Sequence, residues 1–458
     1  MPWPDTPPTA EHRASYRDAE PAPFWRVPQQ ATSALTQTTE ADLCIVGGGF
    51  TGLWAALYAK DHAPERDVVI LEQEAAGFGA SGRNGGFVVA SLTHGIDNGL
   101  ARFAEEMPAL ERLAFENFDG LTADLTRHRI DCDFEPTGEL LALTDNYQLP
   151  WLQDEHERFG HKVTLLDAQQ MRAEVNSPTY LGGVWDHTGA GILDPGKLAA
   201  GLRDAASAQG VRIYEHSAAH HIDGHDVITA QGRVRAKKIL LATSAYPPLI
   251  KEIKRYIVPV YDYVLVTEPV DLTQIGWRNR QGIGDGGNQF HYYRLTRDNR
   301  ILFGGWDAVY RYKGPVTPKH DQHDQTFATL AQHFFHTFPQ LEGTRFTHRW
   351  GGAIDTSSRF SVFFGVKRHV AYAVGYTGLG VAAARFGGRT ALDLLDGRVT
   401  EATQLKYVQS KPIPFPPEPL RYGVVQFTRG RLAAADRNNG RRGLWLRTLD
   451  KLGLGFDS

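Results

Sequence analysis

The clearest pattern along the chain is a short apolar run, Leu43-Cys44-Ile45-Val46, then a glycine-rich turn from Gly47 to Gly52, a helical stretch from Leu53 to Ala59, and a second apolar run, Val68-Val69-Ile70-Leu71. Two buried strands joined by a helix within about 30 residues make a βαβ unit, the building block of doubly wound parallel sheets. The pattern changes after residue 93, where a charged amphipathic helix leads to Gly138-Glu139-Leu140-Leu141-Ala142-Leu143, an alternation that predicts a strand of a different sheet. A helix over 198–210 and strands at 211–214 and 237–243 return to the first unit. Residues 256–306 place Tyr, Val and Phe at alternating positions, as in an antiparallel sheet. Tyr372-Ala373-Val374, Gly375 and a small-residue helix from Leu379 to Leu395 rejoin the parallel sheet.

This alternation predicts an α/β protein in which a Rossmann-like dinucleotide-binding domain (41–92, 181–250 and 345–402) is interwoven with an α+β substrate domain (93–180 and 251–344) built on a mostly antiparallel sheet. Residues 1–40 hold seven of the 25 prolines with little periodicity, so they read as an N-terminal arm laid over the surface. Five prolines between Pro412 and Pro419 lead into a C-terminal extension within 403–458. From Arg421 to Lys451, eight basic residues meet only Asp436 and Asp450, which suits a solvated helical face or a subunit contact.

Composition narrows the partners. The chain has 458 residues, 42% of them apolar, enough for two or three cores and incompatible with a collagen-like or wholly disordered chain. A formal charge of −3 supplies no field for a nucleic-acid backbone. Cys44 and Cys132 are too few for a disulfide framework, which fits the cytoplasm, and no secretory signal opens the chain. The uncharged stretch Leu43 to Ala59 is 17 residues long, short of the ~20 apolar residues of a membrane span, so no stable membrane insertion is expected.

Gly47-Gly48-Gly49-Phe50-Thr51-Gly52 satisfies G-x-G-x-x-G between a strand and a helix. Gly47 allows the tight turn, Gly49 lets backbone N–H groups approach a pyrophosphate at the helix start, and Gly52 lets helix and strand pack closely. Glu72 ends the next strand, where a carboxylate accepts hydrogen bonds from a ribose. A second glycine-rich loop, Gly77 to Gly86, follows directly, a feature a simple NAD fold does not need.

The fingerprint, the loop Gly79-Ala80-Ser81-Gly82-Arg83-Asn84-Gly85-Gly86 and the C-terminal Gly375-Tyr376-Thr377-Gly378-Leu379-Gly380-Val381 together resemble the D-amino-acid oxidase superfamily of FAD enzymes over residues 15–400. The nearest likeness is to the branch containing gamma-glutamylputrescine oxidase, with glycine and sarcosine oxidases as more distant relatives. The resemblance implies non-covalent FAD held at Gly47, Gly49, Phe50, Thr51, Gly52 and Glu72. It also implies contacts from Gly79, Ala80, Ser81, Arg83, Asn84, Gly85 and Gly86 beside the flavin, and from Ala219 at the adenine. Ala242 and Thr243 would pass the cofactor, while Gly352, Gly378, Leu379, Gly380 and Val381 would meet the flavin end. Departures accompany the matches. Amino-acid oxidases of the superfamily carry a carboxylate-clamping arginine, yet the corresponding stretch here, Trp350-Gly351-Gly352-Ala353-Ile354-Asp355, has none. That favours an amine or a larger substrate. Leu379 stands where many relatives have a polar residue or histidine, and a covalent flavin through a cysteine beyond residue 132 is excluded, whereas a histidine link stays open.

Amine oxidation needs a neutral nitrogen, a C–H bond aimed at flavin N5 and a pocket that excludes water, so positioning can replace an obligatory base. No catalytic base is assigned from sequence. Tyr261, Tyr263, His291, Tyr293, Arg294 and Trp306 are the candidates for contact with a small amine or amino-acid derivative, although alternating aromatics also build cores. O2 is the expected electron acceptor, with H2O2 as product. A dehydrogenase or demethylase with another acceptor, an NAD(P)H-dependent monooxygenase and a non-catalytic flavoprotein subunit stay open, as does homo-oligomer formation. His220, His221 and His225 with Asp223 do not converge on a metal, because neighbours in a strand face opposite ways and Asp223-Gly224 reads as a turn. His333 and His336 read as surface or boundary residues.

Overall fold

The computed structural model describes residues 3–28 and 31–455. The arm forms a short helix, α1 (Ala10–Ser15), before the first strand, β1 (Thr38–Val46). The βαβ unit follows as expected, with α2 (Phe50–His62) and β2 (Val68–Leu71), and then the long helix α3 (Met107–Arg127). The chain next visits a second sheet with β3 (Glu139–Leu143), β4 (Val163–Asp167) and β5 (Gly182–Asp186). It returns through α4 (Pro195–Ala208), β6 (Arg212–Tyr214), the hairpin β7 (His221–Asp223) and β8 (Asp226–Ile228), and β9 (Arg233–Leu241).

The second sheet is completed by β10 (Ile257–Thr267), β11 (Gly282–Asp285), β12 (His291–Leu295), β13 (Ile301–Gly305), β14 (Val309–Tyr310), helix α5 (Asp324–Thr337) and β15 (Phe346–Ser357). The last return brings β16 (Phe363–Lys367), β17 (Val370–Val374) and α6 (Ala383–Asp396), and the extension ends in α7 (Leu420–Arg437) and α8 (Leu444–Lys451).

Eight strands make the first sheet, in the order β16-β17-β9-β1-β2-β6, with β8 beside β9 and β7 beside β8. β1, β2, β6, β9 and β17 run parallel. Residues 43–46, 68–71, 239–241 and 370–374 are buried on both faces because helices α2, α4 and α6 cover one side while the β7–β8 hairpin, Leu35 and Ile253 cover the other. The second sheet has nine strands, β14-β10-β13-β12-β11-β3-β5-β4 with β15 beside β10, and only the β3–β11 pair is parallel. One of its faces packs on α5 and the other turns toward the first domain. Helix α2, buried on most of its surface, is clamped between sheet and neighbours, so its N-terminus is fixed in place.

Four expectations need correction. β15 lies in the second sheet, paired with β10 from Ile257↔Ser357 to Thr267↔Phe346, so the third segment of the first domain begins after it rather than at 345. β5 likewise pairs with β3 and β4, although 181–250 was expected to belong wholly to the first domain. The helix expected from Leu379 begins at Ala383, because Gly378 (φ +90°) and Thr377 (φ +55°) hold a turn there. The arm is not merely laid on the surface: Tyr16, Trp25 and Leu35 are buried, and the Tyr16 hydroxyl donates to Asp324 Oδ1 at 2.8 Å. Isolated aromatics among prolines carry no periodicity, yet each still gains by leaving water.

Candidate active site

A single cavity of about 1910 Å³ runs from the tips of β1 and β2 to the face of the second sheet. At its inner end the turn after β1 crosses the end of β9. Gly47 has φ +112°, and a Cβ there would stand 2.3 Å from the Ala242 carbonyl oxygen, so neither the conformation nor the space admits another residue. Gly52 faces the strand, where a Cβ would meet the Gly47 carbonyl at 2.0 Å; it serves packing and does not line the cavity. The α2 N-terminus begins at Gly49 without a side-chain cap, which leaves its dipole end turned to the cavity. The Phe50 N–H donates to Ser81 Oγ at 2.8 Å and the Thr51 hydroxyl to Tyr376 at 2.8 Å, tying this helix start to the 79–86 loop and to the turn after β17.

Glu72 lies at the tip of β2. Its carboxylate accepts the Gly48 N–H at 2.7 Å and the Glu74 N–H at 2.9 Å; burial pushes its pKa above the usual carboxylate range, against those bonds. The loop from Gly79 to Gly86 owes its shape to its own side chains. Asn84 Nδ2 donates to the carbonyls of Ala80 (3.0 Å) and Ser81 (2.9 Å), and its Oδ1 accepts the Gly86 N–H at 2.8 Å. Arg83 donates to the Phe78 carbonyl at 2.8 Å and pairs with Asp321.

Gly47, Gly49, Phe50, Thr51, Glu72, Gly79, Ala80, Ser81, Arg83, Asn84, Gly85 and Gly86 all line the cavity, as do Ala219, Ala242, Thr243, Gly352, Gly378, Leu379, Gly380 and Val381.

The second sheet corrects the substrate-side expectations. Trp306 and Tyr261 reach the cavity. Tyr263, His291 and Tyr293 lie on the opposite face, against α5. There the Tyr263 hydroxyl donates to the His320 carbonyl at 2.8 Å, and Tyr293 and Tyr180 share a hydroxyl bond of 2.8 Å. His291 bridges Asp285 (2.8 Å) and His333 (2.9 Å), so His333 is a core residue and only His336 is exposed. Arg294 donates to the Leu193 carbonyl at 2.8 Å and stacks on Trp25, 4.8 Å from the ring, outside the cavity lining. Asp262 and Tyr292, one position out of phase with Tyr263, His291 and Tyr293, line the cavity, as do Leu141 and Glu139 of β3. Glu139 lies opposite Asp186 across the β3–β5 pair, and burial, reinforced by Asp186, pushes its carboxyl up to about 7.

Another wall was not foreseen from the sequence. Phe415, Val425, Arg429, Leu432 and Leu446 of the extension line the cavity. Helix α7 is held there by Asp436, which accepts the backbone N–H groups of Asn288 (3.0 Å) and Gln289 (2.8 Å), and by an Arg429–Asp307 ion pair at 3.2 Å.

An acid at the β2 tip, a helix N-terminus beyond it and a second sheet closing the far end line one elongated cavity, an arrangement suited to a dinucleotide. The class is a dinucleotide-dependent oxidoreductase of two interwoven domains. More narrowly, the chain belongs to the DAO family of FAD-dependent oxidoreductases, matched over residues 42–394. It is 35% identical over 403 residues to gamma-glutamylputrescine oxidoreductase of Escherichia coli (strain K12), covering 84% of this chain and 90% of that one. A probable oxidoreductase of Haemophilus influenzae is 30% identical over 380 residues, 79% of this chain and 84% of the relative. Glycine oxidase from Geobacillus kaustophilus has the same fold, with a TM-score of 0.68 at 19% identity over 82% of this chain and 100% of its own. The cofactor is FAD, and the glycine cradle and Glu72 fit it. Among the described residues no helix is long and apolar enough to cross a membrane.

Proposed function

We propose that the protein oxidises the C–N bond of a small amine or amino-acid derivative to an imine, which water hydrolyses, with O2 taking the electrons to give H2O2. Bound FAD supplies the hydride acceptor. The observation that carries the reading is the continuity of one cavity from the Gly47–Gly52 turn to the sheet face bearing Tyr292, so that one small molecule can lie between sheet and cofactor. Its walls there, Leu141, Val260, Val264, Phe290 and Ile354, exclude water and hold a C–H bond in place. The strip Trp350–Asp355 offers no arginine to a substrate carboxylate, which favours an amine. The Escherichia coli relative acts on gamma-glutamylputrescine, which supports the same class. FAD is held without a covalent bond, and the enzyme works in the cytoplasm, consistent with two buried free cysteines.

The test is anaerobic flavin absorbance of the purified holoenzyme with alkyl amines, polyamines, N-methyl amino acids and α-amino acids, followed by air. Bleaching by an amine and fast recovery with peroxide is expected. Slow recovery in air would reassign the electron acceptor, and a flavin that nothing in the panel bleaches would overturn the reading.

A further inference from the structure

Asp262 and Gly352 are directly opposed on β10 and β15, so the Asp262 carboxyl stands one strand away from the strip that lacks an arginine. From β12, the Tyr292 hydroxyl donates to Asp262 Oδ2, while Oδ1 accepts the Tyr263 N–H at 2.8 Å. The Tyr292 ring in turn abuts the flavin loop: a Cβ on Gly85 would lie 2.8 Å from it. A Cβ on Gly352 would lie 2.8 Å from Arg83. Asp262, Tyr292, Gly85 and Gly352 therefore meet at one place in the cavity, between the loop and the sheet.

The groups acting on Asp262 are the Tyr292 hydroxyl on β12, the N–H groups of Tyr263 on β10 and Gly305 on β13, and the Asp307 carboxylate after β13, which Arg429 of α7 neutralises at 3.2 Å. Arg83, beyond Gly352, is engaged by Asp321. None of the groups bonded to Asp262 is a cation. A carboxylate held at a cavity wall by neutral donors alone gains from a cationic ligand that reaches it.

We propose that Asp262, oriented by Tyr292, is the receptor for the substrate's ammonium group and takes a proton from it. The proposal rests on the amine reading above and assigns its charge selectivity. An alkyl amine is protonated in neutral water, with a pKa near that of lysine at about 10.4. No hydride leaves carbon until the nitrogen lone pair is free. The proton passes from nitrogen to Asp262: an N–H bond breaks, an O–H bond forms, and no electrons change hands. Burial raises the Asp262 carboxyl to about 6, which makes it a stronger base than an exposed aspartate while leaving it charged at neutral pH. The substrates it selects are primary or secondary amines whose reacting carbon carries no carboxylate, since an α-carboxylate would be brought against Asp262.

The experiment compares wild type, Asp262→Asn and Tyr292→Phe as holoenzymes. The first readout is kcat/KM against pH with the best amine; the second is the Kd of tert-butylamine, which has no α C–H bond, from flavin absorbance. Wild type should lose kcat/KM as pH falls through about 6, where the carboxylate takes up a proton. Asp262→Asn should lower kcat/KM by ~100- to 10,000-fold, abolish that acid limb and weaken tert-butylamine at least ~10-fold, with flavin content retained. Tyr292→Phe removes a bond to the charged form, so its acid limb should move to higher pH. An α-carboxylated analogue of the best amine should react ~100-fold or more slowly, and Asp262→Asn should narrow that gap.

An Asp262→Asn enzyme that keeps the limb and binds tert-butylamine as wild type does would overturn the proposal. If that variant does not fold, an unmoved limb in Tyr292→Phe overturns it. If no amine reduces the flavin but tert-butylamine binds in an Asp262-dependent way, the receptor stands and the oxidation reading falls.

Discussion

Arg83 of the 79–86 loop reaches Asp321 of the second domain, Nη1 to Oδ2 at 2.7 Å, with side chains only 9% and 22% exposed. The same arginine bonds the Phe78 and Gly351 carbonyls, and its own carbonyl accepts the Trp350 indole N–H at 2.8 Å. Burial outweighs the arginine in setting the Asp321 carboxyl, which stays above its usual range. Loop and second sheet are thus joined by a pair that solvent screens little. Arg83→Met leaves a buried carboxyl unpaired and should cost about 3–5 kcal/mol. Chemical unfolding of the holoprotein, followed through flavin release, measures it.

Glu72 holds the backbone of the glycine turn and lines the cavity. Glu72→Ala removes an acceptor from the Gly48 N–H, a bond to a charged group contributing about 1.5–3 kcal/mol. FAD titrated into the apoprotein and followed by quenching of its fluorescence should bind ~10- to 100-fold more weakly. Glu72→Gln, which keeps one carbonyl oxygen, should lose less.

The first domain was legible because residues 43–46 and 68–71 are unbroken apolar runs and the turn between them must be glycine: Gly47 has no room for a Cβ and Gly52 has none against β1. The substrate face was not, and Tyr292-Tyr293 explains why. Either phase of the alternation presents a tyrosine, so period alone cannot say which one faces the cavity; the contacts with α5 decide it. His291 and His333 were obscured for a related reason, since residues 42 apart in sequence satisfy each other inside the core. The role of α7 was hidden by composition. Its arginines read as a solvated face, while the partners that hold it, Asp307 and the N–H groups of Asn288 and Gln289, lie more than 120 residues upstream.

Glu139 makes stability depend on pH. Its folded pKa of about 7 lies above the ordinary 4.5, so its contribution is full below pH 4.5 and is lost as pH rises through 7. Glu139→Gln should therefore be more stable than wild type at pH 8, by at most about 3 kcal/mol, and show no such gain at pH 4.5. Thermal unfolding of the two proteins at both pH values checks the sign.

Asp436 carries the attachment of α7 to the loop before β12, through two backbone N–H groups and Asn288 Nδ2 at 2.7 Å. Asp436→Ala should loosen that wall by about 1–3 kcal/mol. KM for the amine should rise ~5-fold or more while kcat changes little, because the groups nearest the cofactor stay in place. Steady-state kinetics separates the two.

Phe415, Val425, Arg429, Leu432 and Leu446 lie in the last 44 residues of the chain, and they close one side of the cavity. Every strand of both sheets ends by Val374, so this wall is built from a separate stretch of sequence. Substitutions confined to α7 and α8 can therefore reshape one flank of the cavity without touching a strand of either sheet.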